Sequence, residues 1–170
     1  EKGAMQKIYR GSMHTQDPYD SKGLKEVGEI PQASYTYAYL NTAYPCLNEK
    51  QLAIGETTFS GPDTLVNPEG LFMIEELERI VLQRCDNARD AIKLIDELTK
   101  EYGYGDGGEC ITIADTKEVW CLEIMGEGKK KKGAIWAAQR VPDGEVSVSA
   151  NIPRIKYLNR EDPDNFLCSD

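Results

Sequence analysis

The sequence has 170 residues, 40% of them apolar and 29% charged, which is enough for one domain with a core and too mixed for a disordered chain or a membrane span. The formal charge of -9 disfavours a nucleic-acid backbone or an anionic lipid surface as the main partner, because like charge repels both. The five cysteines, Cys46, Cys85, Cys110, Cys121 and Cys168, are odd in number and scattered, with no CxxC pair and no histidine beside them. They support neither a zinc site nor a regular disulfide framework.

In chain order, the opening EKGAMQKIYR has neither a charged n-region nor an apolar h-region, and nowhere does an apolar stretch approach the ~18 residues of a membrane helix. Glu1 is not an initiator methionine and a strand-like run follows at once, so the chain reads as part of a longer one. The compartment, cytoplasmic or exported, and any homo-oligomer stay open. Residues 4–10 alternate as a strand, residues 11–22 with His14 and Asp17-Pro18 read as a polar loop, and residues 24–31 as a second extended segment bulged at Gly28. Tyr35, Tyr37 and Tyr39 share one face of a predicted extended run, either lining a pocket or packing across strands.

The stretch NEKQLAIGETTFSG, residues 48–61, predicts a short buried strand over residues 51–54 that breaks at Gly55 into the polar cluster Glu56, Thr57 and Thr58. Such a strand end is either the rim of a site or an ordinary solvated terminus. Asn67-Pro68 has the form of a helix N-cap with proline following. The apolar spacing of Leu71, Ile74, Leu77 and Val81 predicts a helix to about Arg84, with Glu75, Glu76, Glu78 and Arg79 on its solvated surface. A second helix, capped near Asp86, presents Ala88, Ala91, Ile92, Ile95, Leu98 and Tyr102 on one face until Gly103 ends it.

From Glu109 the period changes from 3.6 to 2. CITIAD, EVWCLEIMG, AIWAAQRV and EVSVSAN are four strand candidates of an antiparallel meander, with residues 129–132, four lysines, as a solvated hairpin tip. The predicted fold class is α+β, a single partial domain over residues 1–170 in which two adjacent helices pack on one face of an antiparallel sheet.

NEKQLAIGETTFSG, the helix pair ending in EYGYG, GGECITIADTKEVWCLEIMGEG, WAAQRVPDGEVSVSANIPRI and the earlier GEIPQA together resemble the dipeptidase D type of cysteine dipeptidases. These are N-terminal-nucleophile (Ntn) hydrolases, related to secernins and more remotely to penicillin acylases and bile-salt hydrolases. The resemblance implies an Ntn-hydrolase αββα sandwich, a second sheet supplied by chain outside these residues, hydrolysis of dipeptides or similar small amides, no metal and no organic cofactor. It also implies a cysteine nucleophile several tens of residues before Glu1, whose own α-amine takes the thiol proton.

Carried over position by position, the resemblance implies catalytic roles for Asn151 and Thr58 as oxyanion donors, Thr58 through its hydroxyl or a backbone N–H. Arg154 and Glu56 are carried as substrate-binding residues, Arg154 to hold a substrate carboxylate or an active-site acid. Two departures stand out: Ser149 where relatives have histidine before Ala-Asn, and Cys110 where they have serine in GESF. Cys46 is internal, without a free α-amine, and reads as a small buried or half-buried residue rather than a nucleophile. A non-catalytic peptide-binding relative and an amide acylase are the alternative functions.

Overall fold

The computed structural model describes residues 3–11 and 24–170. Glu1, His14 and most of the loop expected over residues 11–22 lie outside the described residues. Strand β1 (Met5–Arg10) pairs antiparallel with β2 (Lys25–Pro31). The register shifts between Ile8 and Tyr9, so that Val27 next to Gly28 is the extra residue, as expected of a bulge there.

The tyrosine run forms no regular strand. Tyr39 makes an isolated bridge with Asn48, Tyr35 and Tyr37 meet edge to face at 5.5 Å, and Tyr37 N donates to Gln83 O at 2.9 Å. The segment therefore docks on a helix end instead of a sheet. Asn48, buried, then shapes the turn that follows: its Oδ1 accepts from Lys50 N at 3.0 Å and Leu52 N at 3.1 Å, and its Nδ2 donates to Leu82 O and Cys85 O. That turn takes the residues expected to open the central strand, and Gln51 sits at φ 64 within it. Strand β3 (Ala53–Ser60) consequently starts later than expected and runs straight through Gly55, ending in a register shift between Thr58 and Ser60.

A 3-10 turn (Asp63–Leu65) leads to Asn67, which is not the expected helix cap. Its Oδ1 accepts from Glu69 N at 3.1 Å and its Nδ2 donates to Lys131 O at 2.6 Å, tying this connection to the lysine hairpin. Helix α1 (Ile74–Arg84) begins after Met73, and Ile74 N donates to Asp106 Oδ2 at 3.1 Å. Helix α2 (Ala88–Tyr102) is capped one residue later than expected, by Asn87, whose side chain accepts from Asp90 N; Gly103, at φ 86, ends it. A left-handed residue that closes a helix favours glycine.

Strands β4 (Gly108–Ala114), β5 (Val119–Gly126) and β6 (Ala134–Arg140) form the expected meander, and the four lysines are exposed at the β5–β6 tip. The fourth strand differs. Residues 145–151 pair with nothing regular, and Val146 is 90% exposed. The edge of β6 is taken instead by β7 (Phe166–Cys168), aligned by Arg140 N to Asn165 O at 2.9 Å. The larger sheet has the order β3-β4-β5-β6-β7.

Both helices lie on one face of this sheet, where Ile111, Ile113, Trp120, Leu122 and Ile124 join Leu77, Ile80, Ala91, Ile92 and Ile95 in one core. The expected solvated glutamate surface of α1 is corrected here: Glu75, Glu76 and Glu78 are all buried. Residues 141–165 leave β6 and cross the opposite, helix-free face as an irregular strap.

Candidate active site

The antiparallel register lines up polar side chains on the helix-free face. Thr57 lies opposite Cys110, Cys110 opposite Glu123, and Cys121 is two residues before Glu123 on the same side. The strap is bonded to this row at two points. Ser149 Oγ and Thr57 Oγ1 are 2.6 Å apart. Glu123 Oε1 accepts from Arg154 N and, at 3.1 Å, from Ile155 N. Arg154 also donates through Nη1 to Val148 O at 3.3 Å, which curls the strap around Asn151.

Asn151 stands at the bend, at φ 56, a left-handed conformation that asparagine tolerates better than most residues. Its Nδ2 donates to Thr58 O at 2.7 Å. An amide carries two N–H donors, and the second makes no other hydrogen bond among the described residues. The two residues expected to share an oxyanion site are thus brought together, but through the main chain of Thr58. The Thr58 side chain faces the other way, towards Glu109, its cross-strand partner on the helix face.

Glu56 lies on that helix face too, opposite Ile111, and is not brought together with Asn151 or Arg154. Its carboxyl lies close to that of Glu109 and belongs to an interior group of acids with Glu75, Glu78 and Asp106. Burial and the neighbouring Glu56 push Glu109 up to about 9, and burial with Glu56 and Glu75 pushes Glu78 up to about 9. Tyr44, half-buried beside these acids, is raised to about 12. No periodicity argument reveals this group, because its members come from two strands, a helix and a loop.

Cys46 is exposed, against the expectation of a buried or half-buried residue; Cys85 is buried, and burial pushes its thiol up to about 12. Cys110 and Cys121 are different. Their sulfurs are 3.2 Å apart, and the hydrogen bond with Cys121 draws the Cys110 thiol below the ordinary thiol range, against the opposing effect of burial. Eleven residues of sequence separate them, so only the hairpin of β4 and β5 makes them neighbours. Beyond the strap bonds, Phe59, Met125, Ile135, Pro153, Ile155 and Leu158 line an apolar cavity of about 290 Å³ on the same face.

The model of Peptidase family C69 matches residues 12–170. The chain is similar to a "Probable dipeptidase" of Salmonella dublin, 30% identical over 180 residues, covering 95% of this chain and 39% of that protein. It is also similar to a "Probable dipeptidase" of Latilactobacillus sakei, 33% identical over 91 residues, covering 54% of this chain and 18% of that protein. A "Probable dipeptidase B" of Lactococcus lactis subsp. lactis is 36% identical over 96 residues, covering 56% of this chain and 18% of that protein. The matched part of the chain thus spans at most 39% of the length of these relatives.

Proposed function

The chain belongs to peptidase family C69, and from that premise we propose that it is part of a cysteine-type dipeptidase, contributing the side of the site that holds the substrate and its developing oxyanion. The observation that carries this reading is the 2.7 Å bond from Asn151 to the Thr58 carbonyl. It orients an amide at the junction of strap and strand with one N–H still available, the kind of fixed donor an oxyanion needs.

In this reading the nucleophile is a cysteine outside residues 1–170, its α-amine taking the thiol proton as the sulfur attacks the peptide carbonyl. The negative charge that develops on the carbonyl oxygen is met by the free Asn151 N–H. The proton passes from the α-amine to the leaving amine as the C–N bond breaks, and water then hydrolyses the thioester. Arg154, held beside Asn151 by its bond to Val148 O, keeps guanidinium donors for a substrate carboxylate. Thr58 contributes through its backbone, and Glu56 acts on Glu109 from the helix face. The sheet is one of the two central layers of an αββα sandwich, with its helix-free face towards the second. The apolar residues of that face support this arrangement.

The test is dipeptide hydrolysis by residues 1–170 alone and joined to an N-terminal segment that begins with cysteine. Only the joined protein is expected to be active, and activity of residues 1–170 alone would overturn the assignment of the nucleophile. In the active protein, Asn151→Ala is expected to lower kcat by roughly 10²–10³-fold, the usual cost of one oxyanion donor. Thr58→Val, which leaves the carbonyl in place, is expected to lower it far less.

A further inference from the structure

We propose that Cys110, Cys121 and Glu123 form a binding site for a thiophilic divalent cation of the zinc class. The two sulfurs and a Glu123 carboxylate oxygen all lie within 4.8 Å of one another, delivered by adjacent strands whose register fixes the three backbone positions. With the sulfurs 3.2 Å apart, one ion can sit about 2.3 Å from both, the usual zinc–thiolate distance, and rotation of the two side chains that opens the pair by about half an ångström reaches the tetrahedral angle. Thiolate and carboxylate ligands suit zinc and exclude the hard, all-oxygen coordination of calcium or magnesium.

The surroundings are those of a ligand set held in place. Both cysteines are buried. Glu123 is oriented from behind, because Arg154 N and Ile155 N both bond its Oε1; outer hydrogen bonds of this kind fix a ligating carboxylate. Two thiolates and a carboxylate exceed the charge of a divalent ion by one, and the positive charge of Arg154, which acts on Cys121, offsets part of that excess. The Ser149 hydroxyl bonds Thr57, which lies opposite Cys110, and a water is the expected fourth ligand. The sheet brings together what the spacing of cysteines along the chain kept apart.

Cobalt titration of the reduced chain, freed of metal, tests the site. One equivalent of Co²⁺ is expected to give the intense near-ultraviolet absorption of thiolate ligation, displaced by Zn²⁺. Cys110→Ser and Cys121→Ser are each expected to weaken that band strongly, Cys46→Ser to leave it unchanged, and Glu123→Gln to keep the band but reduce affinity by at least about 10-fold, the lower bound for loss of an outer partner of a ligand. Native alkylation followed by mass spectrometry covers the case of a variant that fails to fold: in the unmutated chain, Zn²⁺ is expected to protect Cys110 and Cys121 but not Cys46. The proposal is overturned if the reduced chain gives no thiolate band with excess cobalt, if the band survives loss of both cysteines, or if zinc leaves their alkylation unchanged.

Discussion

Glu78 sits in an environment at odds with its chemistry. It is 2% exposed, and neither carboxylate oxygen has a hydrogen-bond partner among the described residues. Desolvation disfavours its charged form, and Glu56 and Glu75 disfavour it further, raising it from 4.5 to about 9. Between these two values the folded chain keeps a proton that the unfolded chain releases. The group's contribution to stability is therefore complete below about pH 4.5 and is lost as pH rises towards 9. Glu109 acts in the same direction. Glu118, held down chiefly by its hydrogen bond from Arg89, contributes stability lost only on acidification below the normal carboxylate range. Thermal melts from pH 4.5 to 9 are expected to show a falling midpoint, and Glu78→Gln is expected to flatten the fall and stabilise the chain at pH 8. An unchanged slope in the variant would mean that Glu78 is ionised in the fold. The sequence makes these glutamates look solvated because they flank the apolar positions of α1. The helix is enclosed on more than one side, by α2 and by the ribbon of β1 and β2, whose Gln6 and Pro31 bond Gln83 and Arg84.

At the scale of elements, α2 and the β4–β6 meander are the best determined locally. The α2 periodicity puts Ala88, Ala91, Ile92, Ile95 and Leu98 in the core, and its N-terminus is closed twice. Asn87 Oδ1 accepts from Asp90 N at 2.9 Å, and Asp115 Oδ2, from the β4–β5 turn, accepts from Ala88 N at 2.8 Å. Asn87→Ala is expected to cost about 1 kcal/mol, read as a lower denaturant midpoint with an unchanged slope. Residues 145–151 mislead because EVSVSAN alternates like an edge strand, yet the open edge of β6 goes to FLC, whose Phe166 is buried while Val146 and Val148 stay exposed. Alternation describes a segment that is able to pair and says nothing about which segment wins an edge.

Across the whole molecule, the sheet has two unlike faces. One packs on helices and contains nearly all the large buried side chains, with Trp120 and Trp136 tied by their indole N–H groups to Glu118 and Asp96 at 2.9 and 2.8 Å. The other carries the candidate site under a strap held by a handful of side-chain bonds. Hydrogen exchange of residues 1–170 is expected to be slowest at the amides of β4 and β5 and fast over residues 145–160, where backbone amides lack ladder partners. Protection of that strap equal to that of β4 would contradict the fold described. In the joined protein, the proposed sandwich predicts added protection across the helix-free face.

The two helices, the three-stranded meander and the family were legible in the chain before any contact was known, because they rest on short-range periodicity, local capping and ordered motifs. The tertiary structure alone decided that Asn151 reaches Thr58 through its carbonyl, that Glu56 turns towards the helices, that three glutamates of α1 are buried, and that Cys110 meets Cys121 beside Glu123. Each of these is a contact between elements, set by strand register and by which face of a sheet a side chain takes, and the displacement of one strand by a single residue reverses that face.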